Sequence, residues 1–235
     1  MKPIALITGA GRRFGFELAN ALLDQGYTVL AHYNSSKQGV EQLEQRGAIS
    51  MQADFSDTDA INAMITAVAE QVDRIDLLVN NASCFFDNAV VDNDDEALQA
   101  VYAVHAIAPY KLITGLADLL ANADDGLVIN ITDIYSERPS TDYIAYCGAK
   151  AALANMTLAF AKSLAPKVRV NAIQPGPILF LPEHDSEHRK QVLAETPLTV
   201  EGGLQPMIDT VQFFRDNPFL TGESIKVDGG RALKI

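Results

Sequence analysis

Short, β-branched and almost wholly apolar runs alternate along the chain with longer stretches of helical periodicity. Such runs suit strands covered by helices on both faces, because a half-exposed strand would alternate apolar with polar residues. Ile4 to Thr8 reads as the first strand and Phe14 to Gln25 as the helix after it, closed by Gly26. Further strands are expected at Tyr27 to Tyr33, Ala48 to Gln52, Leu77 to Asn80, Gly126 to Ile131, Val168 to Ile173 and Ser224 to Val227. Helical patterns fill Gly39 to Arg46, Asp59 to Val72 (with Ser56 or Asp57 as N-cap), Asp94 to Leu120 and Tyr143 to Ser163. This order predicts an α/β fold: a doubly wound, parallel seven-stranded sheet with helices on both faces. No repeat or linker divides the 235 residues, so one domain over 1–235 is expected.

Composition narrows the partners. The formal net charge is -12, and such a chain is repelled by phosphate backbones and anionic lipid. No nucleic-acid or membrane partner is therefore expected. Two cysteines, Cys84 and Cys147, make neither a disulfide framework nor a cysteine-rich metal site. The apolar run after Met1 is too short for a signal peptide, and no uninterrupted apolar stretch approaches the roughly 20 residues that span a bilayer. A cytoplasmic protein with reduced thiols is the expectation.

Ligands of doubly wound sheets sit beyond the carboxyl ends of the strands, so the residues there carry the functional reading. After the first strand comes Thr8-Gly9-Ala10-Gly11-Arg12-Arg13-Phe14-Gly15. Small residues permit a tight turn against a diphosphate, and the following helix offers free N–H groups and its positive dipole end. Gly9, Arg12, Arg13 and Phe14 are candidate cofactor contacts; a ligand-free strand–helix turn is the plain alternative. The second strand ends in Asn34-Ser35-Ser36-Lys37 without the acidic residue that would accept from an NAD ribose. Hydroxyls, Lys37 and Arg12 suit a 2′-phosphate instead, which favours NADP(H) over NAD(H); a solvated polar loop is the alternative. Asp54, followed by Phe55, can accept from an adenine amino group or act as an early helix cap. Asn80 and Asn81 can tie strands together, with Ala82 and Ser83 behind them. Thr132 and Asp133 follow the fifth strand. Tyr146 and Lys150 lie four apart, on one helix face, where an ammonium favours a phenolate and lowers the phenol pKa. Alone, such a pair more often sits on a surface.

Together, Thr8-Gly9 with Gly15, Asn80-Asn81-Ala82, Tyr146-x-x-x-Lys150, Pro175-Gly176 and Val227-Asp228-Gly229-Gly230 occur in the order seen in short-chain dehydrogenases/reductases. The resemblance covers essentially the whole chain and implies a Rossmann-type domain. Four positions depart from the general pattern. Arg13 replaces the middle glycine of the turn motif, and Asp133 stands where a serine usually precedes the tyrosine by thirteen residues. Ser83 replaces the glycine of Asn-Asn-Ala-Gly, and His105 occupies the place of an asparagine. These departures resemble the pteridine reductase branch. Thr132 to Arg138, Lys162 to Asn171 and Ile178 to Asp185 are similar to the dihydromonapterin reductases within it.

The resemblance implies NADPH-dependent reduction of a dihydropterin, such as 7,8-dihydromonapterin, to the tetrahydropterin, with weak dihydrofolate reduction beside it. Asp133, Tyr146 and Lys150 would be catalytic, with Lys150 on the nicotinamide ribose and keeping Tyr146 acidic. Arg13, Ser83, Phe85, Asp133 and Tyr146 would meet the pterin. Gly9, Arg12, Arg13, Phe14, Asn34, Ser35, Ser36, Asp54, Phe55, Asn81, Ala82, Ser83, Thr132, Tyr146, Lys150, Pro175 and Gly176 would hold NADPH or NADP+. The chemistry agrees. A carboxylate repels the oxyanion that develops on a reduced ketone, whereas it accepts from pterin N–H groups or holds a proton for the ring. Phe85 can stack on the heterocycle or merely anchor its loop. His105 either takes over the asparagine's role or is a packed histidine. A homotetramer is implied, burying helix faces such as Ala151 to Ala165.

Two alternatives stay open: a keto-reductase of the same superfamily, and a non-catalytic NADP(H)-binding sensor. His184-Asp185-Ser186-Glu187-His188 matches the H-x-x-E-H zinc-protease string, but no partner ligand is evident and no metal is expected. That string falls in a charged, proline-containing segment, about 179–204, read as the substrate lid.

Overall fold

A computed structural model describes residues 2–181 and 184–235. Met1, and Pro182 and Glu183 of the expected lid, lie outside the described residues. The elements run β1 (Ile4–Ile7), α1 (Arg13–Asp24), β2 (Thr28–Tyr33), α2 (Lys37–Gln45), β3 (Ile49–Gln52), α3 (Thr58–Gln71), β4 (Leu77–Asn80), α4 (Asn88–Val91) and α5 (Asp95–Tyr102). A π-helical turn (Ala103–Ile107), α6 (Ala108–Gly115), α7 (Ala117–Ala121), β5 (Gly126–Ile131), a 3-10 turn (Ile134–Ser136) and α8 (Ile144–Leu164) follow. β6 (Val168–Pro175), α9 (Ser186–Ala194), α10 (Gln205–Asp216), β7 (Ser224–Val227) and a closing 3-10 turn (Arg231–Leu233) complete the chain.

All seven strands are parallel, in the order β3-β2-β1-β4-β5-β6-β7, as the apolar runs predict. Side chains alternate between the faces, so Leu6, Leu30, Leu78 and Val128 join one cluster with Ile61, Leu112 and Phe160. Ala5, Ile7, Val29, Val79 and Ile129 join the other, with Leu18, Leu22, Val211 and Phe214. The strand order reverses between β1 and β4, which opens a crevice at their carboxyl ends. Buried amides stitch the strands beside it. Asn80 Nδ2 donates to Asn130 Oδ1 (2.8 Å), and Asn130 Nδ2 donates to Thr157 Oγ1 (2.9 Å) on α8.

Helix starts follow capping chemistry. Asp57, rather than Ser56, caps α3 through the Asp59 N–H (2.8 Å), and Asp94 caps α5. The long helix expected over Asp94 to Leu120 is instead broken into α5, the π turn, α6 and α7. Helix α10 lay unread behind Gly202, Gly203 and Pro206, although its buried Met207, Ile208, Val211 and Phe214 keep helical spacing. Helix α8 is long and apolar enough to cross a bilayer by length and composition, the one such helix among the described residues. It packs against β6, α5 and the first 3-10 turn, and it buries Tyr146, Lys150 and Thr157.

Candidate active site

The glycine-rich turn is built by its neighbours. Asn81 Nδ2 donates to the Thr8 (2.9 Å) and Gly9 (3.2 Å) carbonyls, and Thr8 Oγ1 accepts from the Asn81 and Ala82 amides. Gly9 has φ +68°, and a Cβ there would lie 2.9 Å from Ala82 Cα, so only glycine fits. Arg13 also has positive φ (+51°). The chain thus keeps a glycine's conformation under an arginine, at a cost of about 1–2 kcal/mol. No side chain caps α1, which leaves its first turn available to an anion. Its N-terminus borders a cleft of about 550 Å³, lined by Gly9, Arg12, Arg13, Phe14, Asn34, Ser35, Ser36, Asp54, Phe55, Asn81, Ala82 and Ser83 among others.

One residue of this turn escaped sequence reasoning. His32 accepts from the Gly9 N–H at Nδ1 (3.1 Å) and meets the Ala53 carbonyl at Nε2 (3.0 Å). This network assigns the proton to Nε2. Its ring lies flat on Phe55, with centroids 3.9 Å apart and planes 3° apart. Burial lowers its pKa to about 4, against the opposing pull of the Ala53 carbonyl and Asp54. A lone histidine in an apolar strand carries no signal for this role. Asp54 accepts from the Ser56 N–H and hydroxyl, which hold its pKa low, so it faces the cleft as an anion.

At the ends of β5 and α8 the Tyr146 hydroxyl donates to Asp133 Oδ2 at 2.9 Å, and the Tyr135 N–H donates to Oδ1 at 2.9 Å. Burial raises the Asp133 pKa, against the pull of the Tyr135 amide, Lys150, Tyr146 and Arg231. Tyr146 is raised well above its ordinary 10, by burial first and then by the Asp133 charge and hydrogen bond. This corrects the expectation that Lys150 keeps Tyr146 acidic: a carboxylate in the serine's place stabilises the phenol, not the phenolate. The Lys150 ammonium turns to the Ile131 carbonyl (2.7 Å), lies 5.7 Å from the centre of the Tyr146 ring, and is itself lowered to about 8 by burial.

His105 sits on the π turn. Its Nδ1 meets the Val101 carbonyl (2.9 Å), so Nε2 accepts from the Ser83 hydroxyl (3.0 Å). Burial and the Lys150 charge lower its pKa well below 6.5 and keep it neutral. The ring stands edge-on to Tyr146 at 5.2 Å. It is thus a packed histidine that also orients the Ser83 hydroxyl.

A larger cavity, about 770 Å³, opens beyond Asp133 and is walled by Arg13, Phe85, Tyr143, Pro175, Gly176 and Arg231 among others. Phe85 is half exposed, 4.6 Å from the Tyr143 ring and edge-on to Tyr146 at 4.7 Å. Arg13, Phe14, Asn81 and Phe85 border both cavities, which therefore meet there. Tyr146, Lys150 and Thr132 are buried behind these walls. Thr132 Oγ1 donates to the Ile173 carbonyl and ties β5 to β6. The expected lid forms the far wall with α9. His184 and His188 lie 4.6 Å apart there, and among the described residues no three His, Cys, Asp or Glu side chains form a metal-ligand group.

A model of the short chain dehydrogenase family matches residues 3–191. A dihydromonapterin reductase of Enterobacter sp. (strain 638) is 38% identical over 234 residues, covering 99% of this chain and 97% of that one. One from Escherichia coli is 36% identical over 233 residues, covering 97% and 96%. The crystal structure of FolM alternative dihydrofolate reductase 1 from Brucella canis, complexed with NADP, superimposes with a TM-score of 0.88 at 32% identity, covering 98% of this chain and 94% of that one. The same protein from Brucella suis, also with NADP, gives 0.89 at 32% identity, covering 99% and 95%.

Proposed function

The chain belongs to the short-chain dehydrogenase family, and we propose that it reduces a 7,8-dihydropterin, such as dihydromonapterin, to the tetrahydropterin with NADPH. One observation carries this reading: a buried carboxyl, Asp133, holds the Tyr146 hydroxyl at 2.9 Å where ketone reduction calls for a neutral hydroxyl donor. An imine nitrogen asks for a proton instead, and burial makes this carboxyl a readier proton carrier than an exposed one. The relatives named above as dihydromonapterin reductases support the same substrate.

The residues present fit the nucleotide. The uncapped start of α1, Arg12 and the Ser35–Ser36 hydroxyls suit diphosphate and 2′-phosphate, and no acidic residue ends β2. The bound NADPH supplies the hydride, which C6 of the C6=N5 imine takes up. The balancing proton would reach N5 by way of Asp133. Tyr146 keeps its own proton and fixes the carboxyl's orientation, and Lys150, now on the Ile131 carbonyl, would hold the nicotinamide ribose. Phe85 would stack on the pterin, and Arg13, where the two cavities meet, would donate from its fork to cofactor and pterin. Dihydrofolate enters the same cavity as a slower substrate.

For the assembly we propose a homotetramer, since Ile107, Tyr110 and Leu158 leave apolar surface exposed on the helical faces. The free thiols of Cys84 and Cys147 suit the cytoplasm. The test follows NADPH absorbance with dihydromonapterin, dihydrobiopterin, dihydrofolate and a simple keto-ester. Turnover of the pterins, with dihydrofolate slower, is expected. Turnover of the keto-ester alone would overturn the reading, and tight NADPH binding without any turnover would favour a sensor.

A further inference from the structure

We propose that Arg231 is a positioning residue, tying the lid helix α9 to the residues that hold the catalytic carboxyl. The proposal rests on the dihydropterin reading of that site. Helix α9 buries none of its own residues, so core packing does not fix it. Polar contacts do so at its carboxyl end. Arg231 is 8% exposed and donates from Nη1 to the Val192 carbonyl (2.8 Å) and from Nη2 to Glu195 Oε2 (2.6 Å). Lys234 Nζ donates to the Ala194 carbonyl (3.0 Å), and the Leu198 N–H to the Gly229 carbonyl (3.0 Å). The closing turn is thus the anchor of α9.

The other edge of Arg231 looks inward. It borders the substrate cavity together with Tyr135 and Asp133. The guanidinium faces the Tyr135 hydroxyl and opposes the rise in that phenol's pKa caused by burial. Tyr135 in turn donates its N–H to Asp133. The lid helix, the arginine, Tyr135 and the carboxyl therefore form one chain of neighbours. Displacing α9 releases two acceptors of the guanidinium, which then turns and changes the field at Asp133. Lid position and the carboxyl's hold on its proton become one event.

The groups that face Asp133 are few. Tyr146, Cys147 and Lys150 approach from α8, Tyr135 from the 3-10 turn, and Arg231 from the closing turn. Glu195 on the far side of Arg231 partly neutralises it. Neutralising Glu195 would leave the Arg231 charge less offset where it meets Asp133.

The experiment measures kcat and KM for dihydromonapterin against pH in the full-length enzyme and in Arg231→Gln, Arg231→Lys and Glu195→Gln. With the cation gone, Arg231→Gln moves the alkaline fall of kcat upward, and KM rises severalfold. Arg231→Lys restores the charge and the profile but not the KM, because it cannot hold two acceptors in a fork. Glu195→Gln moves the profile downward while raising KM. The shift is read without turnover from the Asp133 carboxyl signal in 13C-labelled protein. Profiles and titrations of Arg231→Gln and Glu195→Gln that coincide with the wild type would overturn the proposal, leaving Arg231 a structural clasp. Should Arg231→Gln fail to fold, the downward shift in half-exposed Glu195→Gln decides. Should the wild type reduce no pterin, the functional reading fails, and the carboxyl titration still decides this proposal.

Discussion

The Tyr146 hydroxyl donates to the Asp133 carboxyl at 2.9 Å, so phenol and carboxyl titrate as one unit. The phenol, pushed well above 10, keeps its proton at neutral pH, while burial makes the carboxyl the easier member to protonate. Asp133→Asn is expected to lower kcat by about 10²–10⁴-fold, the range of a lost general acid. Tyr146→Phe removes a hydrogen bond that stabilises the carboxylate, so the Asp133 pKa climbs further and the alkaline fall of kcat moves to higher pH. Full turnover and an unchanged pH profile in both variants would remove these residues from the reaction.

His32 gives the fold an acid sensitivity of known sign. Its pKa is about 4 in the folded chain against 6.5 unfolded. Between those values only the unfolded chain takes the proton, so the stability contribution is complete above pH 6.5 and is lost as pH falls toward 4. The difference corresponds to about 3 kcal/mol. Urea unfolding of the wild type and His32→Gln at pH 7, 5.5 and 4.5 should show the gap between them closing. A constant gap would mean that the ring is not buried neutral.

Arg13→Gly is expected to separate stability from binding. Relief of the left-handed backbone, about 1–2 kcal/mol, outweighs the extra freedom glycine brings to the unfolded chain, about 0.5–1 kcal/mol. Tm should rise by about 1–3 °C. The KM values for NADPH and for the pterin should both rise, because the guanidinium at the junction of the two cavities is gone. A lower Tm would show that the side chain supports the turn.

Phe85 is half exposed and packs only on Tyr143 and Tyr146 among aromatic neighbours, so Phe85→Ala should cost little stability. Loss of stacking, about 0.5–1.5 kcal/mol, should raise the pterin KM by about two- to tenfold and that of NADPH less, since Phe85 also borders the nucleotide cleft. Steady-state kinetics with each substrate varied in turn distinguishes this from a loop anchor, whose loss would lower Tm and disturb both.

Much of this was legible because parallel strands leave their carboxyl ends in one place. Thr8, Asn81, Asp133 and Asp54 are far apart in sequence, yet each follows an apolar run that reads as a strand. The direction of side chains was less legible. Spacing puts Tyr146 and Lys150 on one helix face, but not that the ammonium bonds the Ile131 carbonyl while the phenol bonds Asp133. The tie from His32 to Gly9 joins residues with no local pattern, and α9 lacks a buried face to show itself. Arg13 was readable as a departure from a glycine, and the positive φ explains why a glycine is usual there.

The π turn at Ala103–Ile107 holds one residue more per turn than its flanking α-helices. Deleting a single residue inside it would let α5 and α6 join as one regular helix and abolish the widened turn that carries His105. The His105 ring would then lose its present place against the Ser83 hydroxyl and the Tyr146 ring. The place of this imidazole thus depends on the number of residues in the turn as well as on their identity.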